Sequence, residues 1–177
     1  MKLMRWLGCC VILNMVGLHP VYAVNILDEK DGMLNQKIED APEWQELQSQ
    51  LPAAPKDENL VPFYVSGIAG NQYAIDKSTL NVGKDGVVRY TLVIKTQGGA
   101  KNVSYEGIHC ESRQRKIYAT GRDDGSWTRA IDSRWQGIAG RSLLSYHRAL
   151  ADEYFCPVGT IVWSKEQALQ NIKAGWL

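Results

Sequence analysis

From Leu60 the apolar residues recur at every second position, the period of a strand with one buried face. The stretches "LVPFYVSG", "QYAIDKSTLNVG", "VVRYTLVIKTQ", "KNVSYEGIHCES" and "RKIYATG" all follow this pattern, so about five strands are expected. Turn residues separate the earlier ones, at Ala69-Gly70-Asn71, Lys84-Asp85-Gly86 and Gly98-Gly99. In the third stretch Tyr90, Leu92 and Ile94 share one face, with Arg89, Thr91 and Lys95 opposite. That alternation predicts an antiparallel sheet with one face on the core and one in water. Pro62 lacks a backbone donor and belongs near an edge or a strand start. The fourth stretch is in conflict with the rule. Plain alternation sets Val103 and Tyr105 on one face and Glu106, Ile108 and Cys110 on the other. A bulge at Glu106-Gly107 would return the four apolar side chains to one face, and glycine inside a strand marks such kinks. A bulge is therefore expected there.

The period is helical on both sides of the strands. Asp40 as a cap, Pro42 in the first turn and Trp44, Leu47 and Leu51 at helical spacing predict a short helix that Pro52 ends. "PAAPKDEN" has the composition of a linker. After a turn at Asp123-Asp124-Gly125 the pattern is irregular through Trp127 and Trp135. Ser142 can then cap a helix carrying Leu143, His147, Leu150 and Tyr154 on one stripe, closed by Pro157 after Cys156. A last helix begins at Ser164, with Gln167 completing a capping box, Leu169 and Ile172 facing inward and Gly175 as terminator. The expected fold is α+β: a single antiparallel sheet with helices packed on one face. There is no internal repeat and no low-complexity block.

The N-terminus assigns the compartment. Lys2 and Arg5 precede an apolar run from Trp6 to Leu18, and Val21-Tyr22-Ala23 offers a signal-peptidase site. Cleavage is expected after Ala23, leaving a polar leader over 24–43 and a folded domain over 44–177. The apolar run falls short of the roughly 18–20 residues of a spanning helix, so no transmembrane helix is expected after processing. Cys9 and Cys10 stand too early in the run for a lipid-attachment cysteine, so a lipid anchor is not expected. The chain is placed in the periplasm or outside the cell. Processing lowers Lys plus Arg from 20 to 18 and leaves Asp plus Glu at 19. A near-neutral exported chain does not have the electrostatics of nucleic-acid binding. Of the four cysteines only Cys110 and Cys156 survive processing, and in an oxidising compartment they are expected to form one disulfide. The rival is a Cys-His nucleophile pair with His109 or His147. Neighbours on a strand point to opposite faces, which sets His109 away from Cys110.

The search for chemistry yields no catalytic residue, metal site or cofactor. None of the nucleophile-elbow, zincin, dinucleotide, phosphate-loop or calcium-loop patterns is present. His147 lies on an apolar stripe, the setting of a packed core histidine. Asp123 and Asp124 suit a turn. Glu106 and Glu111 make an acid pair only if the fold brings them together. Asn102-Val103-Ser104 matches a glycosylation acceptor but carries little weight in an exported bacterial chain. The candidate interaction patch is basic: Arg113, Arg115 and Lys116, with Arg89, Lys95 and Lys101 beside them on the wet face. Such a face fits an envelope protein, a lipid head group or a cell-wall polymer. The same cations also guard exposed strands against edge pairing. Tyr118, Trp127 and Trp135 are either ligand contacts or core.

The motifs "DGVVRYTLV", "GAKNVSYEGIHC", "KIYATG", "DGSW" and a late "FCP" resemble, in order, the CNP-one-like family. These are exported proteobacterial proteins of about this length. The resemblance runs from about Trp44 to Trp176 and implies an envelope protein with a cysteine pair matching Cys110 and Cys156. It implies no established activity and no catalytic residues. Members are sometimes lipid-anchored, for which this sequence has no convincing cysteine. The strand pattern around "YAIDKSTL" is also similar to surface adhesin E-like proteins, which would imply binding to host or matrix ligands. The functional expectation is a non-enzymatic interaction or structural module of the cell envelope, with an adhesin or an envelope enzyme as alternatives.

Overall fold

Alternating β-branched and aromatic residues draw the chain after residue 60 into strands, and glycine-containing turns fold those strands into an antiparallel meander. The computed structural model describes residues 43–138 and 145–175. A 3₁₀ turn at Asp57–Asn59 leads into β1 (Leu60–Phe63), β2 (Gln72–Val82), β3 (Val87–Lys95), β4 (Lys101–His109) and β5 (Gln114–Gly121). Each strand pairs with the next, so chain order and sheet order coincide. Two further strands, β6 (Trp127–Arg129) and β7 (Gln136–Gly137), share the outer edge of β5 and bring the sheet to seven. The expected count of about five omitted these two. Runs of three and two residues are too short to display a period.

The expected bulge in β4 is not there. Pairing of β3 with β4 runs unbroken from Val87↔His109 to Lys95↔Lys101, so β4 keeps its alternation. Glu106 therefore points to the core face beside Ile108 and Cys110, while Tyr105 is buried on the opposite face. The irregularity falls on β5, where Tyr118 is the extra residue between Ile117↔Glu106 and Ala119↔Tyr105. Gly107 makes that possible: a Cβ there would meet the Tyr118 hydroxyl at 2.7 Å.

The sheet face opposite the core is not wet at its centre. Every residue of β3 from Val87 to Val93 is buried, Arg89 and Thr91 included. Residues 44–56 cover it as an extended strap and form no helix, contrary to the helix expected over 44–51. The backbone groups that a helix would use internally are bonded to the sheet instead. Leu47 N donates to Asp85 Oδ2 at 2.9 Å, Leu47 O accepts from Arg89 Nη2 at 3.0 Å, and Pro52 O accepts from Trp127 Nε1 at 2.7 Å. The residues from Trp44 onward form one compact unit.

Helices close the other face. α1 (Tyr146–Ala149) continues directly into a π-helical stretch, Leu150–Phe155. Its cap is Ser145, in extended conformation, whose hydroxyl accepts from Arg148 N. That places the helix start three residues after the expected Ser142, which lies outside the described residues. A 3₁₀ turn (Pro157–Gly159) leads to α2 (Lys165–Gly175), where Ser164 Oγ accepts from Gln167 N as the capping pattern predicts. Tyr90, Leu92, Ile75 and Ile108 of the sheet pack on Leu150, Tyr154, Phe155 and Ile172 of the helices. Each such fully buried side chain contributes about 1.5–3 kcal/mol. Tyr90 meets Phe155 with ring centroids 5.2 Å apart, and Phe63 meets Tyr154 at 5.9 Å. Among the described residues no helix is long and apolar enough to cross a membrane.

Cys110 and Cys156 form a disulfide, with Cα atoms 5.5 Å apart and a sequence separation of 46. It joins the residue after β4 to the residue that ends the π-helical stretch. Closing a loop of this length constrains the unfolded chain by about 4 kcal/mol in the chain-entropy account. Cys110→Ala and Cys156→Ala should each lower unfolding free energy by about that amount, and the double variant hardly more. Denaturant titration of the three variants measures this. Additive losses would contradict it.

Candidate functional site

The Glu106 side chain is fully buried and accepts four hydrogen bonds. Oε1 takes one from Ser104 Oγ at 2.5 Å and one from the Tyr146 hydroxyl at 3.2 Å. Oε2 takes one from the Tyr90 hydroxyl at 3.1 Å and one from His147 Nε2 at 2.9 Å. Strand alternation aims Ser104, Glu106 and Tyr90 at one point, since Tyr90 and Glu106 are paired across β3 and β4. The cap at Ser145 then sets Tyr146 and His147 in the first turn of α1 above them.

Burial by itself pushes a carboxyl up, but the bonds and charge of His147, with those of Ser104 and Tyr90, outweigh it, and Glu106 sits below its ordinary range. An ionised carboxylate only accepts, so Nε2 of His147 carries the shared hydrogen. Burial and the neighbouring Glu106 charge push Tyr90 and Tyr146 upward, which keeps both hydroxyls protonated as donors. Two carboxylate oxygens offer about four acceptor positions, and four are filled. This group has no free lone pair for a substrate. It acts as an anchor between sheet and helix. Glu111 is exposed and takes no part in the cluster, so the two acids do not form a pair.

A second cluster lies on the opposite face. Glu46 of the strap accepts from Lys116 Nζ at 2.7 Å, from the Tyr118 hydroxyl at 2.7 Å and from Trp135 Nε1 at 3.1 Å, with Arg89 Nη2 at 3.7 Å. Burial raises the Glu46 carboxyl, and the Lys116, Tyr118 and Trp135 bonds bring it below the ordinary value. Asp85 holds Arg89 by two bonds, at 3.1 and 2.6 Å. Trp44 lies on the His109 ring with centroids 4.4 Å apart and donates to Asp85 O at 2.7 Å. His109 is thus on the strap face while Cys110 enters the core.

The four cations of the candidate patch are divided between two faces. Arg89 and Lys116 are both opposite Gly107 and meet under the strap. Arg115 is opposite Ile108 and donates to Gln136 Oε1 at 3.0 Å, and Arg113 pairs with Asp152 of the π-helical stretch at 2.6 Å. Strand register separates them, because Arg115 and Lys116 are neighbours and point apart. Among the described residues no cluster of three or more His, Cys, Asp or Glu is placed to hold a metal. Sequence reasoning missed Glu46, Tyr90 and Tyr146 as members of these clusters. The signal for the Glu106 cluster was present in the sequence: an acid, Glu106, on an otherwise apolar face.

A third feature follows the disulfide. Between Cys156 and α2 the loop closes on itself through Val162 N to Phe155 O at 2.9 Å. It presents Val158, fully exposed, and Trp163, 84 % exposed. Val158 has φ of 56°, in the left-handed region that β-branched residues avoid.

Glu106→Gln should cost about 3 kcal/mol near neutral pH, because it breaks a buried pair and sets an amide donor among donors. The sign of the pH effect follows from the depressed carboxyl. Its contribution is complete above the ordinary glutamate value of about 4.3 and is lost as pH falls through the lower folded value. Thermal unfolding from about pH 6 to about pH 3 should therefore show a shallower acid loss in Glu106→Gln than in the wild type. Parallel profiles would contradict the assignment.

No curated protein and no solved structure matches the chain. The model of the CNP1-like family matches residues 39–173, which include the strap, the sheet, both cysteines and nearly all of α2. The chain belongs to the CNP1-like family.

Proposed function

We propose that this protein is an exported component of the cell envelope that works by binding a protein partner, without turning over a substrate. The observation that carries this reading is the loop after Cys156. A disulfide and a backbone hydrogen bond hold it in place, and it displays Val158 in a strained conformation next to an exposed Trp163. Strain at an exposed apolar residue costs stability and is retained where presentation matters. Tryptophan is also the side chain most enriched in the energetic centres of interfaces. The saturated Glu106 cluster supports binding over catalysis. Export is supported by the basic and apolar start of the sequence and by the disulfide, which persists in oxidising compartments.

Two measurements test the reading. The intact mass of the exported chain should correspond to a start at Val24, and retention of residues 1–23 would contradict processing. In cross-linking with envelope extracts, a Val158→Gly/Trp163→Ala variant should fold normally, since glycine relieves the positive φ and Trp163 supports little packing. Its capture of envelope proteins should fall at least tenfold relative to wild type, or about 1.4 kcal/mol. Unchanged capture by a folded variant would overturn the loop assignment.

A further inference from the structure

The strap's contacts are those of a bound peptide more than those of a structural element. It adds no strand to the sheet and forms no helix. Its grip comes from a few groups: Trp44 on His109, Glu46 in its cationic socket, Leu47 bonded through both its N–H and its C=O, and Pro52 O accepting from Trp127. Trp44 and Leu47 remain 39 % and 51 % exposed. The socket is assembled from the other side, by residues of β3, β5 and the segment leading to β7. Arg89 is fixed by Asp85, and Lys116 lies near the rings of both Tyr118 and Trp135, at 5.3 and 5.7 Å. Two grooves of about 400 and 450 Å³ border the strap, one lined by Lys116, Tyr118 and Arg129, the other by Asn81, Lys84 and Tyr105. Beneath it, Arg89 Nε and Thr91 Oγ1 are buried without a hydrogen-bond partner among the described residues. The strap leaves the capacity of this face partly unused.

We propose that this face is a peptide-binding site masked in cis: it takes an extended segment carrying an aromatic residue two positions before a carboxylate, and residues 44–47 are its tethered occupant. The carboxylate is read by Lys116, Tyr118 and Trp135, the aromatic by His109, and the peptide backbone by Asp85 and Arg89. A tethered segment acts at an effective concentration of about millimolar, so a partner binds only when it outcompetes the strap or when the strap is released. The site is separate from the loop after Cys156, and its failure would leave that assignment standing.

The test uses the full chain with Trp44→Ala/Glu46→Ala, and a fluorescent peptide of residues 43–56 added in trans. Fluorescence anisotropy should show saturable binding to the variant. The same peptide with alanine at the glutamate should bind at least tenfold more weakly. The wild-type chain, whose own strap competes, should also bind the peptide at least tenfold more weakly than the variant does. Far-UV circular dichroism and protection of the disulfide report folding. If the double variant does not fold, Glu46→Gln is assayed in the same way. Three outcomes overturn the proposal: a folded variant that does not bind, equal binding of both peptides, or loss of fold in both variants. The last would make the strap an integral part of the fold.

Discussion

The structure is organised around a carboxylate that strand alternation forces into the core. Glu106 follows the same parity as Ile108 and Cys110, and the continuous register with β3 leaves it no way out. An unpaired buried charge costs several kcal/mol, so the fold must supply partners. It supplies four, two from the sheet and two from the first turn of α1. The position of the helix is then fixed at both ends. His147 meets Glu106 at the start, and Cys156 meets Cys110 at the finish. One tie is a hydrogen bond to a buried carboxylate, the other is covalent, and Tyr90 packs against Phe155 in the same core.

The opposite face meets a comparable demand by different means. β3 buries Arg89 and Thr91 where a two-layer sheet would present them to water, and the strap bonds Arg89 through Leu47 O. Glu46 brings a carboxylate to Lys116 and Tyr118, and Asp85 turns back from the β2–β3 connection to hold Arg89. Each acid lies within reach of a cation or several donors, so the charge on this face is largely satisfied internally. With the strap in place, the open apolar surface lies elsewhere, on the loop that the disulfide positions.

Much of this fold is legible in the sequence, and the failures have specific causes. Strands β1 to β5, the turns between the first four, the last helix with its Ser164 cap and the cysteine pair follow from period, turn chemistry and the expectation of export. β6 and β7 are too short to show a period. The strap carries Trp44, Leu47 and Leu51 at helical spacing, but tertiary bonds to Asp85 and Arg89 override that local preference. The misplaced bulge is the most instructive case. A pattern argument treats an acid on an apolar face as an error of register. The chain instead retains the register and moves the irregularity to Tyr118, one strand over, while Tyr90, Tyr146 and His147 satisfy the acid. No single-strand pattern contains that information, because the partners come from β3 and α1. The basic residues are divided for a related reason: Arg115 and Lys116, adjacent in sequence on β5, lie on opposite faces.

The packing of helix on sheet depends on Glu106 being ionised and saturated, an anchor and not a proton donor in waiting. Carboxyl ¹³C chemical shifts of the folded protein followed through an acid titration read this directly, with the resonance assigned by its absence in Glu106→Gln. An anchoring carboxylate titrates below the ordinary glutamate range, because its four donors favour the charged form. A midpoint above that range would mean a buried neutral acid of the kind that enzymes use to deliver protons, and would contradict the account.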